Sequence, residues 1–277
     1  MRINTNVMAI NAQNMLTRNQ GSVESSIRKL SSGLRINGAA DDASGLAISE
    51  KMRAQIRGLN QAESNAQDAI SMIQTAEGAL QQTTDILQRM IELVVKPQNT
   101  GVLQDDDKTA IQTEMNSLVK EIDRIAESTT FNKKQLLNGK LDGTTGSAMF
   151  KIGANTYTED MLEVTISSMK TDILGVKSIT VDNDTNADNA LKAIDKAIED
   201  VSAQRARLGA AQNRMEYAIE NLSTTSENLS AAESRILDVD MAEEMVSYTK
   251  DSILNQSAMA MLAQANQQPQ QILSLLG

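Results

Sequence analysis

Two hydrophobic series with a strict seven-residue step constrain this chain more than any other feature. Met52, Leu59, Ala66, Ile73, Leu80, Leu87 and Val94 hold one unbroken register, and Ile194, Val201, Leu208, Met215, Leu222, Leu229 and Ile236 hold a second. A step of seven returns an α-helix to the same face turn after turn, so each series predicts a coiled-coil seam. Each covers about 43 residues, or about 65 Å of helix at 1.5 Å per residue, which is far longer than an ordinary globular helix. The positions four residues further along the repeat read Ile56, Glu63, Ile70, Glu77, Thr84 and Ile91. That row predicts a half-polar seam, adapted to a bundle rather than to one perfect dimer.

Composition removes whole chemistries from such a bundle. The 277 residues include no Cys, His or Trp, and the aromatics are Phe131, Phe150, Tyr157, Tyr217 and Tyr248. Without Cys there is no disulfide framework, thiolate nucleophile or Cys-based zinc site, and without His no Ser-His-Asp triad or His-ligated metal. So few aromatics argue against a spherical core, because aromatics carry the largest buried area per residue. The net charge of −10, from 26 Lys and Arg against 36 Asp and Glu, disfavours both nucleic acid and anionic membrane as partners. No apolar run reaches 18 residues, and Met1-Arg2-Ile3-Asn4-Thr5-Asn6 lacks the apolar core of a secretory signal, so neither a membrane span nor a cleavable address is expected.

The first long helix is predicted to stop at Val95, because Pro97 disfavours helical geometry at Lys96 and has no N–H to continue the ladder. Gln98 to Gly101 reads as a turn. A third helix follows on Ile111, Met115, Leu118, Ile122 and Ile125, with Asp105-Asp106-Asp107 suited to its N-terminus. From Asn138 to Asp184 the helical period disappears, glycines accumulate, and alternation such as Glu163-Val164-Thr165-Ile166-Ser167 predicts short strands or hairpins. Phe150 and Tyr157 are expected to anchor that element. The predicted fold is mainly α, a long antiparallel helical coiled-coil bundle with a small β-hairpin region between the N- and C-terminal helices.

Both ends carry weaker amphipathic patterns. Near the start these are Ile3, Val7, Ile10, Leu16, Val23, Ile27, Leu30 and Leu34; near the end, Met241, Met245, Ile253, Leu254, Met259, Leu262, Leu273 and Leu276. Such narrow stripes do not offset a backbone ordering cost of roughly 1 to 2 kcal/mol per residue, so the ends are expected to fold on meeting neighbours. Residues 1–40 and 241–277 are therefore read as one division, and 41–240 as an α-rich rod domain with its short β region at about 141–182.

Two motifs invite a ligand and fail on inspection. Ser31 to Gly38 is glycine-rich but lacks the lysine of a phosphate loop, and Asp41-Asp42 follow where an anion would sit. Gly33 and Gly38 instead read as helix interruptions, with Asp41 or Asp42 capping the next helix. Asp182-Asn183-Asp184-Thr185-Asn186 has calcium-loop spacing, but Ala187 and Ala193 occupy the diagnostic sixth and twelfth positions. The 15 Met residues suit adaptable interfaces better than a metal site, as no other soft ligand exists. No cofactor and no catalytic constellation are expected.

Against this background, Ser32-Gly33-Leu34-Arg35-Ile36-Asn37-Gly38-Ala39-Ala40-Asp41-Asp42-Ala43-Ser44-Gly45-Leu46-Ala47-Ile48 resembles bacterial flagellin, the subunit of the flagellar filament. The resemblance continues through Ala69 to Leu80, Arg207 to Arg214, Ser234 to Ala242 and Gln264 to Gln270. It implies a structural, non-enzymatic polymer subunit for motility, in which the two terminal helices are disordered in the free monomer and pair in the filament core. It implies export through the flagellar type III apparatus on uncleaved N-terminal information, to an extracellular filament. Implied partners are copies of the chain itself, an export chaperone, the filament cap and the hook–filament junction proteins. The interval 141–185 is too short for an outer surface domain, so a slim filament is expected. Recognition by Toll-like receptor 5 is implied at Arg89, Leu93 and Glu114. The family's usual Arg-Glu-Leu-Ala-Val-Gln here reads Ile91-Glu92-Leu93-Val94-Val95-Lys96, then Pro97, and Leu93 reads first as seam packing. The alternative is a hook–filament junction protein, which shares the terminal heptads. A chemoreceptor-type helical hairpin would need a membrane span, and an inserted metalloprotease would need paired His.

Overall fold

The computed structural model describes residues 5–96, 105–144, 146–155, 160–181 and 184–276. Six helices and four short strands follow in order: α1 (Val7–Ser32), α2 (Ala43–Val95), α3 (Asp105–Ser128), β1 (Thr130–Phe131), β2 (Lys134–Gln135), β3 (Ala148–Lys151), β4 (Met161–Val164), α4 (Thr171–Leu174), α5 (Asp184–Leu237) and α6 (Met241–Leu276). The long helices α2 and α5 have 53 and 54 residues. The fold is mainly α with long helices packed antiparallel and two small hairpins, as the seven-residue series and the β-type alternation predict. No helix among the described residues is long and apolar enough to cross a membrane.

The ends of the helices follow local chemistry. Asn6 Oδ1 accepts from the Ala9 N–H at 3.1 Å and opens α1. Gly33, at φ 72°, closes it by donating its N–H to Lys29 O at 2.8 Å; glycine adopts this left-handed turn without steric cost. Asp42 Oδ1 accepts from the N–H groups of Ser44 at 3.0 Å and Gly45 at 2.9 Å, capping α2. A Cβ on Gly45 would overlap Asp42 Oδ2 and stand 2.7 Å from Ile36 Cδ1, so the tight cap requires glycine here. Asp240 caps α6 in the same way through Ala242 and Glu243. Helix α2 ends at Val95, where the proline argument places its end.

The chain divides into two compact units, residues 57–226 and residues 1–56 with 227–277. The core of the first is one aliphatic cluster. It holds Ala66, Ile73, Leu80, Leu87 and Val94 of α2 and Ile194, Val201, Leu208 and Met215 of α5; Leu59 and Leu222 are buried as well. The second buried row of α2 lies mainly three residues beyond Leu59: Ala62, Ala69, Ala76, Thr83 and Met90 are buried, whereas of the expected four-residue row Thr84 is buried and Glu63, Ile70, Glu77 and Ile91 are only partly so. Burying Glu63 and Glu77 would desolvate carboxylates, while alanines let the seam close at little cost. The seam is thus mostly apolar, with Thr83 and Thr84 as its buried polar members, and Glu77 stays at its edge, 3.6 Å from Arg205.

The β region begins earlier than the loss of helical period indicates. Strands β1 and β2 pair antiparallel around Asn132 and Lys133, which have φ of 47° and 66°, a two-residue turn with both central residues left-handed. Strands β3 and β4 pair Phe150 with Leu162, and the alternation buries Leu162, Val164 and Ile166 while leaving Met161 and Glu163 exposed. Phe150 packs at the edge of the core; Tyr157 lies outside the described residues. Three side chains from the helices tie the irregular stretch after β4 in place. Gln112 donates to Ile179 O at 2.9 Å and accepts from the Val181 N–H at 3.0 Å. Asp123 accepts from the N–H and Oγ1 of Thr171 at 3.0 and 2.8 Å. Gln204 donates to Thr165 O at 3.0 Å.

Candidate functional site

In the unit formed by both chain ends, α1 and α6 lie side by side. Asn6 Nδ2 donates to Ala265 O at 2.7 Å, and Lys29 pairs with Glu244 at 3.6 Å near the other end. The residues of α1 covered by this pairing step by three and four: Ala9, Ala12, Leu16, Asn19, Val23, Ser26 and Leu30. On α6 the covered row is Glu244, Tyr248, Asp251, Asn255, Ala258, Leu262 and Ala265. Both are heptad seams, in which Leu16, Val23, Leu30 and Leu262 alternate with small and polar residues.

The consequence is an inverted helix pair. The larger apolar side chains that the sequence marks for assembly separate into two groups. Leu16, Val23, Leu30, Leu34 and Leu262 are half-buried within the chain. Val7, Ile10, Ile27, Met241, Met245, Ile253, Leu254 and Met259 are exposed, Val7 at 61% and Ile253 at 57%. Met8, Met15, Val246 and Met261, which the sequence reading did not single out, join them. Apolar residues surround α6 rather than keeping to one stripe, and a single partner helix covers only one face. Ile3 and the side chains of Leu273 and Leu276 lie outside the described residues.

A short junction fixes where this pair leaves the long helices. Leu34 and Asp238 form an isolated antiparallel bridge, with Arg35 N–H donating to Leu237 O at 2.7 Å and Val239 N–H donating to Gly33 O at 3.1 Å. The Arg35 guanidinium donates to Ile236 O at 2.6 Å, satisfying a terminal carbonyl of α5. Ile36 and Leu237 are buried beside it, and Arg53 holds Glu233 at 2.9 Å. Met52, Leu229 and Ile236, the outermost members of the seven-residue series, are half-buried in this unit. A glycine-rich segment that resembles a phosphate loop by composition is therefore a joint, its polar groups directed at helix ends.

The three residues singled out for receptor contact lie close together. Arg89 donates to Glu114 at 3.1 Å and to Glu92 at 2.7 Å, and these carboxylates raise the pKa of its guanidinium. Leu93 is buried in the core of its unit. Among the described residues no group of three or more acidic or other metal-ligating side chains is arranged to hold a metal ion.

Comparison with known proteins gives this geometry its context. Residues 3–142 match the bacterial flagellin N-terminal helical region, and residues 191–276 match the bacterial flagellin C-terminal helical region. The chain is 52% identical to flagellin of Bacillus subtilis and 52% identical to flagellin of Halalkalibacterium halodurans, over 100% of both chains in each case. It is 50% identical, again over 100% of both chains, to the flagellar filament 33 kDa core protein of Treponema phagedenis. Among solved structures, a flagellar hook-associated protein of Vibrio parahaemolyticus covers 72% of this chain with all of its own length, at a TM-score of 0.60 and 15% identity, which speaks to the fold alone. Two family regions in chain order, full-length relatives at half identity, and terminal helices that turn their apolar side chains outward lead to one conclusion: the chain belongs to the bacterial flagellin family.

Proposed function

We propose that this protein is a structural subunit that polymerises into the bacterial flagellar filament through its terminal helices. The observation that carries the reading is the α1–α6 pair, whose intrachain seam mixes small, polar and a few larger apolar residues while Val7, Ile10, Ile253 and Met259 face solvent. A chain that exposes such a surface at both ends, in a family of filament subunits, buries it against other copies. Heterologous contacts between identical subunits whose rotation does not close generate an open helical polymer. The short interval between the N- and C-terminal helices leaves a slim filament.

The finer parts of the reading rest on the family resemblance. They are export in the unfolded state to the cell exterior, with an export chaperone, the filament cap and the hook–filament junction proteins as partners. A junction-protein role for the chain itself is not favoured, because the full-length relatives carry the names flagellin and filament core protein. Recognition by Toll-like receptor 5 at Arg89 and Glu114 would have to compete with their mutual ion pair, and Leu93 would act through packing. The test is seeded polymerisation of the purified chain, imaged by electron microscopy. Filaments of flagellar width are expected, and a chain that remains monomeric with seeds present would overturn the proposal.

A further inference from the structure

We propose that Met8, Met15 and Met261 form a peroxide-sensitive set whose oxidation to the sulfoxide prevents the subunit from docking onto another copy. The inference rests on the assembly reading above and adds a chemical control to the same surface. The three thioethers line one groove of about 390 Å³ along the α1–α6 pair. Met8 and Met15 are seven residues apart and share a face of α1; Leu254 and Met261 share a face of α6 in the same way. Ala12 and Ala258 form part of the lining between these walls, and their small side chains leave the groove open.

Exposure makes the set reactive, and the shared groove sets it apart: Met241, Met245 and Met259 on α6 are 48%, 49% and 49% exposed but do not line that groove. Met8, Met15 and Met261 are 57%, 64% and 62% exposed, whereas Met72, Met90, Met115, Met169 and Met215 are buried in the core of the other unit. Among the described residues Met149, on β3, is the one other methionine more than half exposed. The chain has no Cys, so no thiol competes for the oxidant, and thioether sulfur is the two-electron target. Hydrogen peroxide transfers one oxygen to sulfur: the O–O bond breaks, an S–O bond forms, sulfur loses two electrons, and the remaining oxygen leaves as water. The product is a strong polar acceptor on a side chain that was apolar. The lining of the groove is mainly apolar, with side-chain donors only on Asn11, Asn19 and Ser257, so a partner helix pressed into it would bury sulfoxide oxygens away from water with few donors to replace it. Each buried sulfoxide is expected to weaken docking about tenfold, the scale of an unsatisfied buried polar group. A thiol-dependent methionine sulfoxide reductase returns the thioether, oxidising two thiols to a disulfide and releasing water.

The experiment uses the full chain. Subunits are partly oxidised with hydrogen peroxide, the sulfoxides are mapped by mass spectrometry with Met149 as the measure of dose, and seeded polymerisation is followed by sedimentation. Sulfoxide at positions 8, 15 and 261 should be depleted at least tenfold from the pellet relative to the supernatant, and reductase treatment should restore pelleting. The Met8→Leu, Met15→Leu, Met261→Leu chain, of near-equal side-chain volume, should polymerise after the same exposure. If it loses polymerisation as wild type does, the sensitive sulfur is elsewhere and the assignment is overturned. If that variant does not polymerise even unoxidised, the wild-type partition decides. Equal sulfoxide in pellet and supernatant sinks this inference while leaving the assembly reading intact; failure of the unoxidised wild-type chain to polymerise sinks the assembly reading.

Discussion

Replacing Ile253 by Ala should raise the critical concentration for polymerisation about tenfold without moving the thermal melt of the subunit. Ile253 lies on α6 with 57% of its surface exposed. Truncation to Ala removes three carbons, worth about 2.4 kcal/mol at full burial by the usual 0.8 kcal/mol per methylene. The intrachain pairing has already realised the buried share, so about 1.4 kcal/mol remains to be gained on docking. In an open helical polymer each added subunit forms every heterologous contact once, so the loss enters the growth equilibrium once, and 1.4 kcal/mol is about a factor of ten. Alanine favours helix at least as well as isoleucine, which keeps the local fold out of the comparison. The assay is sedimentation of seeded filaments over a concentration series at fixed salt, with circular dichroism melts of the unpolymerised chain beside it. A critical concentration within about twofold of wild type would refute the claim that this exposed face is buried on assembly, and a large fall in the melt would mean that α6 packs within the chain more than its exposure indicates.

Other outcomes follow from the same structure. Leu80→Ala empties a fully buried site in the core of residues 57–226; a cost of about 2 to 5 kcal/mol should lower the melting temperature by about 4 to 20 °C for a unit of this size, and an unchanged melt would contradict the packing. The Asp42 carboxyl is held below the ordinary carboxylate range, chiefly by the Gly45 N–H, with Ser44 and Arg35 assisting. Because its folded pKa is depressed, its stabilising effect is present above the unfolded value of about 3.9 and is lost as pH falls through the folded one. Asp42→Asn, which keeps a capping oxygen, should therefore flatten the acid limb of the stability curve; a limb of unchanged slope would count against this cap. Raising salt from about 0.05 to about 0.3 M shortens the screening length, and for a chain of net charge −10 it should lower the critical concentration; a rise would show that attraction between charges dominates the contacts.

Much of the architecture is legible because it is set by period and punctuation. The seven-residue series locate α2 and α5, Pro97 accounts for the end of α2 at Val95, and Gly33 and Asp42 mark helix ends. Those signals act over one or two turns and need no tertiary partner. The second row of the seam is not legible for the opposite reason: three and four residues both lie beside the first row on a helix, and only the packed neighbours decide which side is covered. The pegs Gln112, Asp123 and Gln204 join positions 37 to 69 residues apart, and no local pattern signals them.

The terminal helices show the division most clearly. Sequence by itself determined that the ends are helical, thiol-free and more apolar than a solvated helix needs to be, because periodicity and composition are properties of single residues. It also sufficed to identify the family, since the quoted motifs are local strings. Only the tertiary structure decided which of those apolar residues the chain covers itself. Pairing through Ala9, Ala12, Ala258 and Ala265 places small side chains between the helices and leaves Val7, Ile253 and Met261 outside. The seam is selected by the fit between two helices far apart in sequence, and what it leaves uncovered is the surface available to another subunit.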